Sequence, residues 1–233
     1  MRGMTILEAR GVWKVYRTRG VETPALNGVD LAIEEGEFAA LAGPSGSGKT
    51  TLLNMLGALD APSAGEVLLD GESLVGASSS RLADLRLRKI GFVFQAYNLI
   101  PVLSARENVE FVMELQGVPP PARRARAMEL LVEVGIGELA GKRPLEMSGG
   151  QQQRVAVARA IASHPRVVLA DEPTANLDST TATRLLELMQ RLNRERGVTF
   201  LFSTHDPLVI TKARRTLRLQ DGRIVAEERE AGT

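Results

Sequence analysis

The chain carries Gly43-Pro44-Ser45-Gly46-Ser47-Gly48-Lys49-Thr50, and this stretch fits every fixed position of the glycine-rich pattern of a phosphate-binding loop. A short apolar run at 37–42 predicts a buried strand before it, and 51–56 predicts the start of a helix after it. Glycines let the backbone N–H groups turn inward, and the helix N-terminus adds partial positive charge, so a polyphosphate can bind there. We expect Lys49 to reach the outer phosphates and the Thr50 hydroxyl to ligate Mg²⁺. The alternative is a Gly/Ser-rich surface turn, which the flanking strand and helix disfavour.

Composition limits the possible classes of protein. The 233 residues, 44% of them apolar, suffice for one large α/β domain or two small ones. Lysine and arginine (29) nearly balance aspartate and glutamate (28), so we expect neither nucleic acid nor an acidic membrane face as the main partner. The absence of cysteine excludes disulfides, thiol catalysis and cysteine-ligated metal.

The sequence shows no signal for secretion or for a membrane span. Glu8 and Arg10 interrupt the start of the chain before an apolar signal core could form. The longest uncharged run, 90–105, is too short to span a bilayer and contains Gln95, Asn98 and Pro101. We therefore expect a soluble protein that reaches a membrane only through a partner.

The segment before the phosphate loop predicts short strands at 6–10 and 12–16, a charged loop up to Pro24, and a strand at 29–33 in which apolar and polar residues alternate. Alternation of this kind predicts half-buried antiparallel strands. Tyr16 ends the second of them, where its ring could stack on a base or simply be an aromatic on an edge strand. Trp13 is expected in the core.

Three continuous apolar runs, 90–94, 167–170 and 199–203, predict buried parallel strands. Ligands of open α/β sheets bind at the carboxyl ends of such strands, where this chain places Gln95, Asp171-Glu172 and His205. Asp171 suits Mg²⁺, and Glu172 could accept a proton from an attacking water. The alternatives are a structural glutamine, a surface acidic pair and a histidine with an ordinary polar role.

Residues 96–164 lack strand signals and predict a helical insertion with breaks at Pro101, Pro119-Pro120-Pro121 and Pro144. Inside it, Ser148 and Gln151 fit a capping box for the helix that follows. The two glycines between them leave the first N–H groups of that helix bare, which also favours an anion site. Further on, Asp178 is expected to cap a helix that ends near Arg196, and Asp221-Gly222 to form the turn of a terminal hairpin.

Taken together, the motifs resemble those of the nucleotide-binding subunit of an ATP-binding cassette (ABC) transporter over essentially the whole chain. The stretches that carry the resemblance are the phosphate loop, the Q-loop (Gln95), the signature (Ser148-Gly149-Gly150-Gln151), the Walker B end (Asp171-Glu172), the D-loop (Asn176-Leu177-Asp178) and the switch histidine (His205). Six motifs in this order make the resemblance specific.

The resemblance implies an α/β fold, namely a P-loop NTPase (RecA-like) core with a parallel sheet, an N-terminal antiparallel β subdomain and a helical ABC-specific subdomain. We expect a single ABC ATPase domain at 1–225, with its core at 1–95 and 165–225 and the helical subdomain at 96–164. Residues 226–233 are expected to form a frayed tail.

The resemblance also implies a mechanism with ATP and Mg²⁺ as cofactors, in which two subunits pack head to tail around two ATP molecules. The residues implied in ATP binding are Tyr16, stacked on adenine, and Gly43, Pro44, Ser45, Gly46, Ser47, Gly48, Lys49, Thr50 and Thr51. Ser148, Gly149, Gly150 and Gln151 would contact the ATP held by the other subunit. Thr50, Gln95 and Asp171 would serve the metal. Glu172, His205, Gln95 and Lys49 would serve catalysis. Glu172 would polarise the attacking water, His205 would hold the γ-phosphate and Glu172 in their geometry, and Gln95 would link the metal site to the helical subdomain.

The implied partners are a second copy of the chain, bound in an ATP-dependent homodimer, and an integral membrane permease subunit that docks near 96–118. That places the chain at the cytoplasmic face of the inner membrane as a peripheral subunit. Residues 91–101 and Glu107-Asn108-Val109 are similar to the lipoprotein-release and macrolide-export group. The chain departs from the usual pattern at Met147, at Ala175 and in lacking a proline shortly after Val109.

Three alternatives remain beside a transporter motor. The first is a non-transporting ABC regulator of the cell-division type, which transmits force across the membrane. The second is an ABC ATPase acting on DNA or ribosomes, which usually has two cassettes or a long coiled-coil insertion, and this chain has neither. The third is a phosphoryl-transfer kinase, which the phosphate loop alone allows and the stretch 148–151 disfavours.

Overall fold

Two β-sheets and seven α-helices make up the computed structural model, which describes residues 4–18 and 20–229. The strands are β1 (Thr5–Thr18), β2 (Val21–Glu34), β3 (Phe38–Ala42), β4 (Ala64–Leu69), β5 (Glu72–Ser73), β6 (Ile90–Phe94), β7 (Val167–Asp171), β8 (Phe200–Thr204), β9 (Arg215–Gln220) and β10 (Arg223–Arg229). The helices are α1 (Lys49–Leu56), α2 (Ser79–Lys89), α3 (Ala105–Leu115), α4 (Pro120–Glu133), α5 (Gly149–Ala162), α6 (Ser179–Arg196) and α7 (Pro207–Lys212).

The larger sheet has the strand order β10-β9-β3-β8-β7-β6, and all neighbouring pairs except β10 and β9 run parallel. Its central strands are apolar without alternation because both faces are covered. In β3, Phe38 and Ala40 join the core on one face, while Ala39 and Leu41 join the core on the other. The predicted buried parallel strands are therefore confirmed.

The smaller sheet, β2-β1-β4-β5, is antiparallel throughout, as predicted. The sequence suggested two strands between Ile6 and Tyr16 and a loop up to Pro24, whereas the structure has the single strand β1 with register shifts along it, and β2 already begins at Val21. The expectation that Trp13 is a core residue is wrong, because its side chain is 42% exposed. The shifts at Val12 and Trp13 interrupt the alternation of faces, so that Val12 is buried and the Trp13 ring lies over Gly28 at the surface.

Residues 96–164, all of which the structure describes, contain α3, α4, α5 and two short 3₁₀ turns and no strand. The helical insertion is therefore confirmed. Pro120 and Pro121 begin α4, where a missing backbone N–H has no cost, and Pro144 begins the second 3₁₀ turn. The three helices pack on the face of the larger sheet that carries Phe38 and Phe200.

The C-terminal end differs from the expected frayed tail at 226–233. Residues 226–229 belong to β10 and pair with β9, so the prediction is wrong for them. Charge pairs across the hairpin, Arg215 with Glu227 and Arg218 with Glu228, hold this end of the strand. The remaining part of the predicted tail, 230–233, lies outside the described residues.

None of the helices at 4–18 and 20–229 has both the length and the apolar character needed to cross a membrane.

Candidate functional site

The phosphate loop connects β3 to α1 through glycines in left-handed conformations. Gly46 has a φ of 81°, and Gly48, which has a φ of 102°, is the N-cap of α1. No side chain caps this helix, so its first backbone N–H groups are free of side-chain acceptors. The loop and the helix N-terminus together form the kind of concave donor surface that binds phosphate.

A cavity of about 350 Å³ lies against this loop. Its lining residues are Ala25, Ser45, Gly46, Gly48, Lys49, Thr50, Thr51, Gln95, Glu172 and His205. The ends of β6, β7 and β8 thus bring Gln95, Glu172 and His205 to the phosphate loop from three distant parts of the sequence.

Lys49 is only 6% exposed and extends along the loop. Its Nζ donates hydrogen bonds to the carbonyl oxygens of Gly43 at 2.7 Å and Pro44 at 3.0 Å. The same atom lies 4.0 Å from Glu172 Oε1. The side chain therefore places a cation between the loop and the carboxylate at the end of β7.

Thr50 and Asp171 meet beside the loop. The Thr50 hydroxyl lies 3.2 Å from each carboxylate oxygen of Asp171. A hydroxyl and a carboxylate are oxygen ligands of the kind that Mg²⁺ prefers, so the pair fits this ion. Gln95 is exposed at the same cavity, and its backbone carbonyl accepts a hydrogen bond from Asn176 Nδ2 at 2.9 Å. Across the described ranges no cluster of three His, Cys, Asp or Glu side chains could hold a metal.

Glu172 has a fixed orientation in the cavity. Its Oε1 lies 2.7 Å from His205 Nδ1, and its Oε2 accepts a hydrogen bond from Thr204 Oγ1 at 3.2 Å. The backbone φ of Glu172 is 45°, a left-handed conformation that non-glycine residues rarely adopt and that occurs often at functional sites. The carboxylate is mostly buried at 15% exposure, whereas His205 is 65% exposed.

The signature stretch begins α5, and the predicted capping box is present. Ser148 Oγ accepts a hydrogen bond from the Gln151 N–H, while the Gln151 side chain accepts one from the Ser148 N–H. None of the residues from Ser148 to Gln151, all of them described, lines the cavity. The structure therefore does not bring the signature to the phosphate loop of its own chain.

The two signature glycines are places of close approach, which the sequence did not reveal. A Cβ on Gly149 would lie 2.6 Å from the Tyr97 hydroxyl, and a Cβ on Gly150 would lie 2.4 Å from Thr181 Cγ2. Larger residues at either position would push against the segment after β6 or against α6. Tyr97 is partly enclosed there, and this burial raises the pKa of its hydroxyl.

The D-loop leads from β7 into α6. Asp178 caps α6 by accepting a hydrogen bond from the Thr181 N–H, as predicted. Hydrogen bonds from the side chain and backbone of Thr181 lower the pKa of Asp178. Leu177 packs against the core, and Asn176 makes the bond to Gln95 described above.

Tyr16 is 40% exposed and does not line the cavity. Its hydroxyl donates to Asp60 Oδ2 at 3.2 Å, and Lys14 Nζ lies 5.0 Å from the centre of its ring. Burial raises the pKa of Asp60, but bonds from Lys14, Ala61 and Tyr16 outweigh it and leave the pKa below its ordinary value. A role for the Tyr16 ring in stacking remains a prediction.

Two residues of α5 that sequence analysis did not single out donate hydrogen bonds to backbone carbonyls in the segments that follow Gln95 and Glu172. Buried Gln153 donates to the Pro173 carbonyl at 2.7 Å, next to Glu172. Arg159 donates to the carbonyls of Asn98 at 2.6 Å and Tyr97 at 2.9 Å, and burial lowers the pKa of its guanidinium. Gln153 lies just before the apolar run 155–158. A polar residue on the buried face of a helix is the signal by which the sequence could have identified Gln153.

Comparisons with known proteins agree with this geometry. A family described as "ABC transporter" matches residues 26–175. An uncharacterised ABC transporter ATP-binding protein of Thermotoga maritima is 49% identical over 96% of this chain and 95% of its own length. The lipoprotein-releasing system ATP-binding protein LolD 1 of Rhodopseudomonas palustris is 49% identical over 94% of this chain and 98% of its own length.

A longer relative and a solved structure extend the comparison. The macrolide export ATP-binding/permease protein MacB of Syntrophobacter fumaroxidans is 47% identical over 98% of this chain, which spans 32% of the length of that protein. The dimeric, post-hydrolysis structure of the ATP-binding cassette MJ0796 bound to ADP and Pi has a TM-score of 0.90 and 42% identity. That similarity covers 98% of this chain and 100% of the other.

Proposed function

This chain belongs to the ABC transporter family, and from that membership we propose that it hydrolyses ATP as a dimer around two nucleotides and thereby drives a separate membrane subunit. The observation that carries the proposal is the cavity at which Lys49, Glu172 and His205 meet the phosphate loop. The similar cassette MJ0796 is described as dimeric and bound to ADP and Pi.

ATP would bind through its phosphates at the loop and the N-terminus of α1. Lys49 supplies a mostly buried positive charge there, which attracts the outer phosphates more strongly than an exposed charge would. Thr50 and Asp171 would hold Mg²⁺, with Gln95 beside them. The ion, when bound, neutralises phosphate charge, and it commonly uses one or two protein ligands together with phosphate oxygens.

Glu172 would activate the attacking water by accepting its proton. The contacts with His205 and Thr204 hold the carboxylate in one orientation at the cavity, which is what a general base requires. His205 would also contact the γ-phosphate from its exposed position.

The position of the signature supports dimerisation. Ser148 is exposed, begins α5 and lies outside the cavity of its own chain. In a head-to-tail dimer the residues from Ser148 to Gln151 would close the cavity of the other protomer, and the N-terminus of α5 would meet the phosphates bound there. Nucleotide would then favour the dimer because it binds between the two protomers.

We predict that Lys49→Ala weakens ATP binding at least about tenfold, because it removes a mostly buried charge that would contact the phosphates. Isothermal titration of the purified chain with ATP measures the change. Lys212→Ala, a lysine of α7 away from the cavity, serves as the control and should bind ATP like the unchanged protein. Equal ATP affinity in both variants would show that the phosphates bind elsewhere.

The membrane subunit would dock at a second, mostly apolar groove of about 430 Å³. Its lining includes Asn98, Ile100, Phe111 and Val112, which fall in the range 96–118, together with residues of β6 and α5. Phe111 is 37% exposed there. Arg159 lines the same groove and holds the segment after β6, so an occupant of the groove would contact the segment that follows Gln95. This docking would place the chain at the cytoplasmic face of the membrane.

We predict that Phe111→Asp reduces binding to membranes that contain the membrane subunit, because it puts a charge into an apolar groove. Sedimentation of the added chain with inside-out vesicles of the source cell measures binding. Leu115→Asp is the matched control, since Leu115 is also exposed on α3 but does not line the groove. Sedimentation of Phe111→Asp equal to that of the unchanged chain would exclude this groove as the docking site.

The transporter is proposed to be of the lipoprotein-release or macrolide-export type. The support is the identity of 49% to a lipoprotein-releasing ATP-binding protein and of 47% to the cassette portion of a macrolide export protein.

A further inference from the structure

Two segments outside the phosphate-loop motif hold the loop in place. One is β2, and the other is the Asp221-Gly222 turn between β9 and β10. The Gly222 N–H donates a hydrogen bond to the Ser47 carbonyl at 3.1 Å. The C-terminal hairpin is therefore bonded directly to the loop.

Two positions of the loop need glycine because neighbouring strands approach them closely. A Cβ on Gly43 would lie 2.1 Å from the Leu219 carbonyl oxygen, at the end of β9. A Cβ on Gly48 would lie 2.6 Å from the Ala25 carbonyl oxygen, in β2. Both distances are far shorter than a real Cβ contact, so a larger residue at either position would push the loop away from β9 or β2.

Asn27 fastens the turn to β2. Its backbone N–H donates to the Gly222 carbonyl at 2.8 Å, and its Nδ2 donates to the Asp221 carbonyl at 2.8 Å. Gly222 has a φ of 73°, and a Cβ there would lie 2.7 Å from the Ala25 carbonyl and 2.9 Å from Asn27 Nδ2. The turn thus has no room for a side chain at Gly222.

The bond to Ser47 fixes the direction of the next N–H group. Across a trans peptide the carbonyl of one residue and the N–H of the next point in opposite directions. The Ser47 carbonyl is directed at the turn, so the Gly48 N–H is directed away from it. Gly48 lines the cavity, whereas Ser47 is 4% exposed and does not.

We propose that the Asp221-Gly222 turn, fastened by Asn27, is a positioning element that directs the Gly48 N–H at the phosphates of the bound nucleotide. This inference rests on the proposed function, because it assumes that nucleotide binds at the phosphate loop. It assigns part of the nucleotide affinity to the turn of the C-terminal hairpin, which lies more than 170 residues after the loop in the sequence.

The chain offers a matched control for testing the turn. Asp70-Gly71 forms the turn between β4 and β5 with nearly the same backbone, since φ is 52° and 74° there and 47° and 73° at Asp221-Gly222. A Cβ on Gly71, however, meets no atom within 4 Å. Gly71→Ala and Gly222→Ala therefore introduce the same backbone strain, and only Gly222→Ala displaces the turn from its neighbours.

The experiment is titration of the purified variants with ADP, which avoids hydrolysis. We expect Gly222→Ala to raise the Kd for ADP about tenfold or more, as the loss of a hydrogen bond to a charged group does, and Gly71→Ala to change it by less than about twofold. Asn27→Ala, which keeps the glycine, should raise the Kd in the same direction, and it tests the proposal if Gly222→Ala does not fold. The melting temperature of each variant without nucleotide shows whether it is folded at the titration temperature.

Wild-type ADP affinity in Asn27→Ala and in folded Gly222→Ala would overturn the positioning role. A purely structural role would lower the melting temperature and leave the Kd unchanged, which would also overturn it. Lys49→Ala separates this failure from failure of the proposed function. If Lys49→Ala loses ADP binding while the turn variants bind normally, only the positioning role is wrong. If Lys49→Ala also binds ADP normally, the nucleotide site itself is wrong.

Discussion

Glu172→Gln is expected to lower ATP turnover at least about a hundredfold and to leave ATP binding intact, because a general base contributes about 10²–10⁴ to a rate. Glutamine has the size of glutamate and can keep hydrogen bonds to Thr204 and His205, so the cavity should retain its shape. It cannot accept the proton of the attacking water. Phosphate release at saturating ATP measures turnover, and titration with ATP measures binding.

Glu187→Gln is the control for this variant. Glu187 is an exposed residue of α6 and does not line the cavity, so its replacement removes a carboxylate without touching the site. It should hydrolyse ATP at the rate of the unchanged protein. Rapid hydrolysis by Glu172→Gln would remove Glu172 from the role of the base.

Ser148→Arg is expected to abolish ATP-dependent dimer formation and, with it, turnover, while the monomer still folds. Ser148 is exposed at the start of α5, so an arginine has room in the monomer. In a head-to-tail dimer the long side chain would stand between the signature and the nucleotide held by the other protomer. Chromatography with light scattering measures the dimer, and phosphate release measures turnover.

The arginine also removes the cap that Ser148 provides, which costs about 0.5–2 kcal/mol of stability. Ser148→Ala removes the same cap without adding bulk, so it should retain more of the ATP-dependent dimer than Ser148→Arg does. Normal turnover by Ser148→Arg would count against a signature that closes the site of the other protomer.

Much of the fold and of the candidate site was predictable because the signals are local. The phosphate loop has a fixed spacing between a strand and a helix, and the apolar runs that end at Gln95, Asp171 and Thr204 mark buried parallel strands. Since parallel strands end at the same edge of a sheet, their last residues meet the loop without any further information. The caps at Ser148 and Asp178 were likewise visible within four residues of sequence.

The missed features depend on register or on long-range packing. Trp13 is exposed because register shifts in β1 change which residues face the core. The isolated Gly11, which lies at the shift with a φ of 52°, is the signal that could have indicated a bulge. Residues 226–229 are ordered because β9 lies beside them, which their own polar composition does not reveal. The close approaches at Gly149 and Gly150 involve Tyr97 and Thr181, which are distant in the sequence.

The central claim is that ATP is bound between two copies of this chain, and light scattering of purified Glu172→Gln tests it most directly. The sample is measured without nucleotide, with ATP in the absence of Mg²⁺, and with ADP. The account predicts a monomer of 25.2 kDa that doubles in mass with ATP only. A monomer under all three conditions, or the same dimer with ADP as with ATP, would contradict it.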